Sequence, residues 1–277
     1  MSFTEKEAEV FQDVLEWEKQ LFQYEATDFE LTFDKYFEQS CSLLPEEVKE
    51  QLFSTLDNWL FHLHAIIQGS QLQMDAKERI LAAGRVFQPA IVTINDLQKL
   101  TIDQRRYIAE QQISRHQLYS LVQGGLSGTG KSLLLGSDIP AMVVINLRVV
   151  QLIANVYGYE VNTPYEMMNA LKVFHAAILP TRIQKQAWEE LFSDFDAKTE
   201  YFYEGNERVT DLATMEQPVK QIFKAMVILL FRRKAIKGIP IISIGIGAGS
   251  NYLLTKKVTE FAHKYYQMRY LLTKKQS

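Results

Sequence analysis

Ser114-Arg-His-Gln-Leu-Tyr-Ser-Leu-Val-Gln-Gly-Gly-Leu-Ser-Gly-Thr-Gly-Lys-Ser132 is the stretch on which the fold class turns. From Gly125 to Ser132 it matches the phosphate-loop pattern G-x-x-x-x-G-K-[ST] at every position. In a working loop of that kind, backbone N–H groups cradle phosphates, Lys131 reaches the terminal ones and Ser132 holds magnesium. That chemistry needs a buried strand before the loop and a helix after it. Residues 114–123 instead carry helical spacing and many polar groups, which excludes the central strand of a parallel sheet. Downstream, Ala141-Met-Val-Val-Ile145 runs into Asn146 where a metal-binding aspartate would stand, and Asp138 comes too soon after Ser132 for a separate strand. The segment therefore reads as a Gly-rich connection between helices. Gly125, Gly130, Lys131 and Ser132 are then a coincidental match, and a nucleotide-binding enzyme using Gly125–Ser132 is the alternative reading.

Outward from this break, helix signals repeat in both directions. Thr4 with Glu7 forms a capping box ahead of the apolar positions Val10, Phe11, Val14, Leu15, Trp17, Leu21 and Phe22. Asp28 caps a second, short helix to Tyr36, and Pro45-Glu-Glu47 opens a third that runs toward Gly69. A fourth pattern spans Met74 to Val86 before Pro89, and Thr101 with Gln104 caps a helix reaching about Val122. Beyond the break, Asp138 and Pro140 open an apolar helix closed at Gly158, and Thr163-Pro-Tyr-Glu166 leads another, stopped at Pro180. Helical stretches near 181–203, 216–236 and 251–272 complete the chain. Ile239 to Gly247 has strand propensity, but its small residues also suit a close-packed helix. The expected fold is all-α: one large multi-helix bundle over residues 1–277, with Gly-rich connections at 124–130 and 238–249.

Composition narrows the function classes. The 277 residues are 47% apolar with a net charge of −3, which excludes intrinsic disorder. The single Cys41 excludes a disulfide scaffold and fits a reducing compartment. The acidic, amphipathic start is neither a secretory signal nor a transit peptide. Charge, however, is unevenly spread. Residues 219–277 hold 12 basic side chains against one acid, Glu260, whereas residues 1–218 are net −14. Such a split means either that the two parts attract each other or that the basic end meets an anionic partner.

Three local features bear on a site. In the helix Ile139–Tyr157, Arg148, Gln151 and Asn155 share one narrow face, giving either satisfied core hydrogen bonds or a polar cleft with Arg148 as its cation. His62 and His64 point about 200° apart on a helix and cannot chelate one metal. No catalytic residue, cofactor site or metal ligand set emerges. Last, Gly238 to Thr255 is an 18-residue uncharged run, flanked by Arg232, Arg233, Lys234 and Lys237 before it and Lys256 and Lys257 after it. Eighteen residues at about 1.5 Å each barely span a hydrocarbon core. The run reads as an interfacial or re-entrant element with its cations on anionic headgroups, or as a buried hairpin. The basic residues are interleaved with long aliphatic runs, which argues against nucleic acid.

Read together, Gly124-Gly125 … Gly130, Asp138-Ile-Pro140, Leu147-Arg148 … Ala154-Asn-Val-Tyr157-Gly158-Tyr159, Pro240 … Gly245 … Asn251-Tyr252 and Tyr265-Tyr266 … Arg269 resemble the EcsC family. The likeness covers nearly the whole chain. It implies a protein associated with a membrane or with an ABC transporter, without an established activity, and it supplies no catalytic residues. The expectation is a non-catalytic accessory protein, cytoplasmic and peripheral to the inner face of a bacterial membrane. Its partners are an anionic membrane surface or an integral membrane transporter, and its basic, apolar subregion 219–277 does the docking.

Overall fold

The computed structural model describes residues 3–26, 28, 31, 58, 60–127, 138–196 and 240–276. Among these residues every regular element is helical and no strand occurs. The elements are α1 (Glu5–Phe22), a helical stretch over 60–68, α2 (Gln71–Phe87), a 3₁₀ turn (Asn95–Lys99), α3 (Ile102–Ser127), α4 (Asp138–Val156), α5 (Pro164–Ile178), α6 (Thr181–Asp196) and α7 (Pro240–Gln276).

The helix starts follow from local chemistry. Thr4 Oγ1 accepts from the Glu7 N–H while the Thr4 N–H donates to Glu7 Oε2, so each residue satisfies the other's orphan backbone group. Thr101 and Gln104 repeat the exchange at α3, and Thr163 caps α5 with Pro164 in the first turn. Two boundaries differ from expectation. α3 continues through Gly124 and Gly125 to Ser127, and α7 begins at Pro240, so the glycines up to Gly249 form its first turns rather than a connection. Proline at a first helical position has no N–H to satisfy, and each helical glycine costs only about 1 kcal/mol, which tertiary packing overrides. The expected helices at 28–36 and 216–236, like Cys41, lie wholly or mostly outside the described residues, and of the expected helix from Pro45 toward Gly69 the described stretch 60–68 is helical.

α4 is the hub. From Val149 to Tyr157 every residue is buried, polar ones included. α3 and α7 pack antiparallel across it: the Arg105 guanidinium lies 4.3 Å over the Tyr270 ring, and twelve residues on, Gln117 Nε2 donates to Thr259 Oγ1. α4 is antiparallel to α3 as well, since Arg105 Nη1 donates to the Tyr157 carbonyl near the C-terminal end of α4. The Trp17, Trp188 and Phe261 rings meet edge-on and join α1, α6 and α7.

One consequence positions everything that follows. With α3 running against both α4 and α7, the C-terminal end of α3 and the first turns of α4 and α7 come to the same end of the bundle. The described parts of the two Gly-rich segments, 124–127 and 240–249, thereby belong to the same end of the bundle.

Candidate functional site

The three polar residues of α4 do share a face, and the structure joins two of them in a continuous seam. Arg148 Nε donates to Gln73 Oε1 at 3.1 Å, and its Nη2 donates to the Leu72 carbonyl at 2.7 Å. Gln73 Nε2 donates to Gln151 Oε1, which also accepts from Gln68 Nε2 at 2.7 Å. Gln151 Nε2 donates to His64 Nδ1 at 3.0 Å, and His64 Nε2 donates to the Val161 carbonyl at 3.1 Å. A carbonyl can only accept, so the His64 proton sits on Nε2 and the ring is neutral. Burial is the main cause that holds this imidazole below its ordinary pKa.

The seam thus runs in one donor-to-acceptor direction from a half-buried arginine to a buried histidine. Asn155, on the same face and fully buried, is not part of it: neither its side-chain nitrogen nor its oxygen has a partner. No carboxylate, thiol or hydroxyl belongs to the seam. It can position and bind, but it offers no nucleophile and no acid–base pair. Its partners His64, Gln68 and Gln73 were not legible as a set, because amides on separate helices carry no spacing signal.

Arg148 was expected to need a carboxylate or an anionic ligand. Among the described residues it makes no salt bridge: a carbonyl and an amide oxygen satisfy its N–H groups, and Asp75 acts on its charge only through space. Burial first, and then the nearby Arg79 and Arg115, lower its pKa.

The phosphate-loop reading does not survive the fold. Residues 102–127 are one helix and α4 starts at Asp138, so the strand that must precede such a loop is missing. Gly130, Lys131 and Ser132 lie outside the described residues, as do the side chains of Gly124, Gly125, Asp138, Pro140, Pro240 and Gly245. Among the described residues, no three His, Cys, Asp or Glu side chains could hold a metal ion.

Other positions singled out in the sequence are structural. Gly158, at φ +86, ends α4 in the left-handed region, its carbonyl accepts from Gln98 Nε2, and a Cβ there would sit 2.4 Å from Gln98 Cγ. The Tyr157 ring lies beside those of Tyr266 and His263. Arg269 makes a bidentate ion pair with Glu166, both contacts at 2.6 Å, with its guanidinium 3.7 Å over the Tyr159 ring. Asn251 is buried in α7.

Part of the basic excess is matched internally. Besides Arg269 with Glu166, Lys264 pairs with Asp13 and Lys274 with Glu7, so three C-terminal cations are committed to acids of the N-terminal part. Burial works to raise the Glu7 carboxyl pKa, but hydrogen bonds from Lys274, Thr4 and Tyr270 outweigh it and hold the group at about 2. Lys257 Nζ donates to the Leu179 carbonyl, while Lys256 is exposed. Arg232, Arg233, Lys234 and Lys237 lie outside the described residues. Among the described residues, no helix is long and apolar enough to cross a membrane.

The described residues thus form an all-helical bundle that carries a buried polar seam. More particularly, the sequence profile of the EcsC protein family matches residues 8–271, and the chain belongs to that family. It is similar to the uncharacterized protein YdbA of Bacillus subtilis, with 21% identity over 97% of this chain and 95% of the relative. It is also similar to the protein EcsC of Bacillus subtilis, with 21% identity over 92% of this chain and 97% of the relative. No solved structure matches the chain.

Proposed function

We propose that this protein is a non-catalytic accessory protein at the cytoplasmic face of a bacterial membrane, docking through its basic, Gly-rich C-terminal region. The observation that supports this reading is what shares one end of the bundle. The helix register brings the small-residue starts of α7 and the last turns of α3 to one level. There Leu253, 64% exposed, lies level with exposed Leu121 and Val122, one turn of α7 from exposed Lys256. Apolar side chains beside cations suit a headgroup boundary, where each Lys or Arg near an anionic surface contributes about 1 kcal/mol. Four further cations, Arg232, Arg233, Lys234 and Lys237, immediately precede α7 in sequence. An integral membrane transporter as a neighbour is the extension that the family resemblance suggests.

Flotation of the full chain with vesicles containing phosphatidylglycerol tests the reading. Binding is expected at low salt and release at high salt, since screened charges lose their reach. Arg232→Glu with Arg233→Glu should weaken the low-salt binding. A wild-type chain that stays unbound at low salt would overturn the proposal.

A further inference from the structure

Three arginines from three consecutive helices converge beside the seam. Phe87 at the end of α2 stacks edge-on against Tyr107 near the start of α3, at 6.0 Å between ring centres. Arg79 of α2 and Arg115 of α3 both lie near enough to Arg148 of α4 and to His116 to act on them electrostatically. Arg148 itself reaches α2, where its Nη2 donates to the Leu72 carbonyl. Tyr119, one turn beyond Arg115, packs its ring against His116 at 5.5 Å.

Among the described residues no salt bridge engages Arg79, Arg115 or Arg148, and Asp75 acts on Arg148 only through space. Glu78, next to Arg79, is taken by Arg85, which leaves the single carboxylate of Asp75 facing three arginines. Beneath the cluster, His116 is only 1% exposed, and its Nε2 has no partner. Its Nδ1 donates to the Gln112 carbonyl, so Nε2 carries a lone pair that only a donor can satisfy. The surrounding surface is apolar: Leu72 is 65% exposed, and Leu118, Tyr119 and Val122 are exposed as well. Burial, and then the three arginines, keep this imidazole uncharged, with a pKa of about 4.

We infer that Arg79, Arg115 and Arg148 form a binding site for the phosphate of an anionic lipid headgroup, with the apolar rim lying against the acyl boundary. Arginine forks match phosphate oxygens, and three positive charges against one carboxylate leave an excess that favours an anion. A phosphomonoester such as phosphatidic acid carries the P–OH that a bare imidazole nitrogen lacks as a partner, which a phosphodiester does not offer. The exposed leucines and tyrosine choose a lipid over a free ion. This inference rests on the membrane reading and adds a second contact, on the α2–α3–α4 face, to the C-terminal one.

The test is co-sedimentation of the full chain with phosphatidylcholine vesicles carrying phosphatidic acid or phosphatidylglycerol, with calorimetry against soluble glycerol phosphate alongside. Wild type should prefer phosphatidic acid. Arg79→Gln with Arg115→Gln should weaken that binding by about fivefold per arginine, roughly 25-fold for the pair, at an unchanged melting temperature because neither side chain has a partner to lose. Lys19→Gln with Lys185→Gln removes the same charge elsewhere and should stay within about twofold. Equal binding by wild type and the arginine variant overturns the site while leaving the membrane reading in place. Binding of glycerol phosphate without binding of any vesicle overturns the lipid occupant together with that reading, and binding of neither probe overturns both.

Discussion

Gln151 joins three helical segments with one side chain. Its amide accepts from Gln68 and Gln73 and donates to His64, all away from water. A buried polar group is stabilising only while its partners are present, and removing one leaves the others desolvated and unpaired. Gln151→Leu keeps the volume roughly constant but strands His64 Nδ1 and two glutamine amides. Urea unfolding should show a loss of about 2–4 kcal/mol, well beyond the cost of an ordinary volume-conserving core exchange. A loss under about 1 kcal/mol would mean that water or a rotated amide replaces the missing group. Arg148, Gln151 and Asn155 were legible in sequence as a shared face, because helical spacing is a property of one element. Their outcome was not: Arg148 and Gln151 found partners on the 60–68 stretch and α2, whereas Asn155 found none.

At the scale of elements, capping chemistry carried most of the reading. Thr4–Glu7, Thr101–Gln104 and Thr163–Glu166 each mark a helix start that the structure contains, since a cap is decided by residues three apart. Glycine misled in both Gly-rich segments. Gly124 and Gly125 lie inside α3, and Gly245, Gly247 and Gly249 lie inside α7. Helix propensity is a weak local preference, and packing along a neighbouring helix outweighs it. The phosphate-loop match also belongs to this scale, because its function depends on the element before it. With a helix in that place, Lys131→Ala should bind ATP no differently from wild type, with both negligible in equilibrium dialysis. Measurable ATP binding by wild type that the variant loses would restore the nucleotide reading.

The whole molecule sets the charge balance and the response to acid. The chain's C-terminal segment is net positive and its remainder net negative, and Lys264, Arg269 and Lys274 of α7 pair with Asp13, Glu166 and Glu7. Burial, as the main cause, holds His116 at about 4 and His263 at about 3, below the ordinary histidine value of 6.5. Between pH 6.5 and those values the unfolded chain binds protons that the folded chain refuses. Their contribution is therefore complete above about pH 6.5 and is lost as the pH falls, reaching on the order of 3 kcal/mol at pH 4 for His116 alone. Glu7 adds a second loss below its ordinary value of 4.5, as the pH approaches 2 and the carboxylate is protonated. The melting temperature should fall steadily from pH 7 to pH 4, and a flat profile over that range would show that both rings take up protons without unfolding.

By itself the sequence determined the helical class, most helix starts, the burial of the central helix and the family, because each of these is written in residues close together along the chain or in their order. Tertiary structure decided which polar groups meet, which C-terminal cations are matched, and that three arginines from separate helices stand near one another with no salt bridge among the described residues. Those outcomes depend on the antiparallel register of packed helices, which brings together side chains that no spacing rule relates.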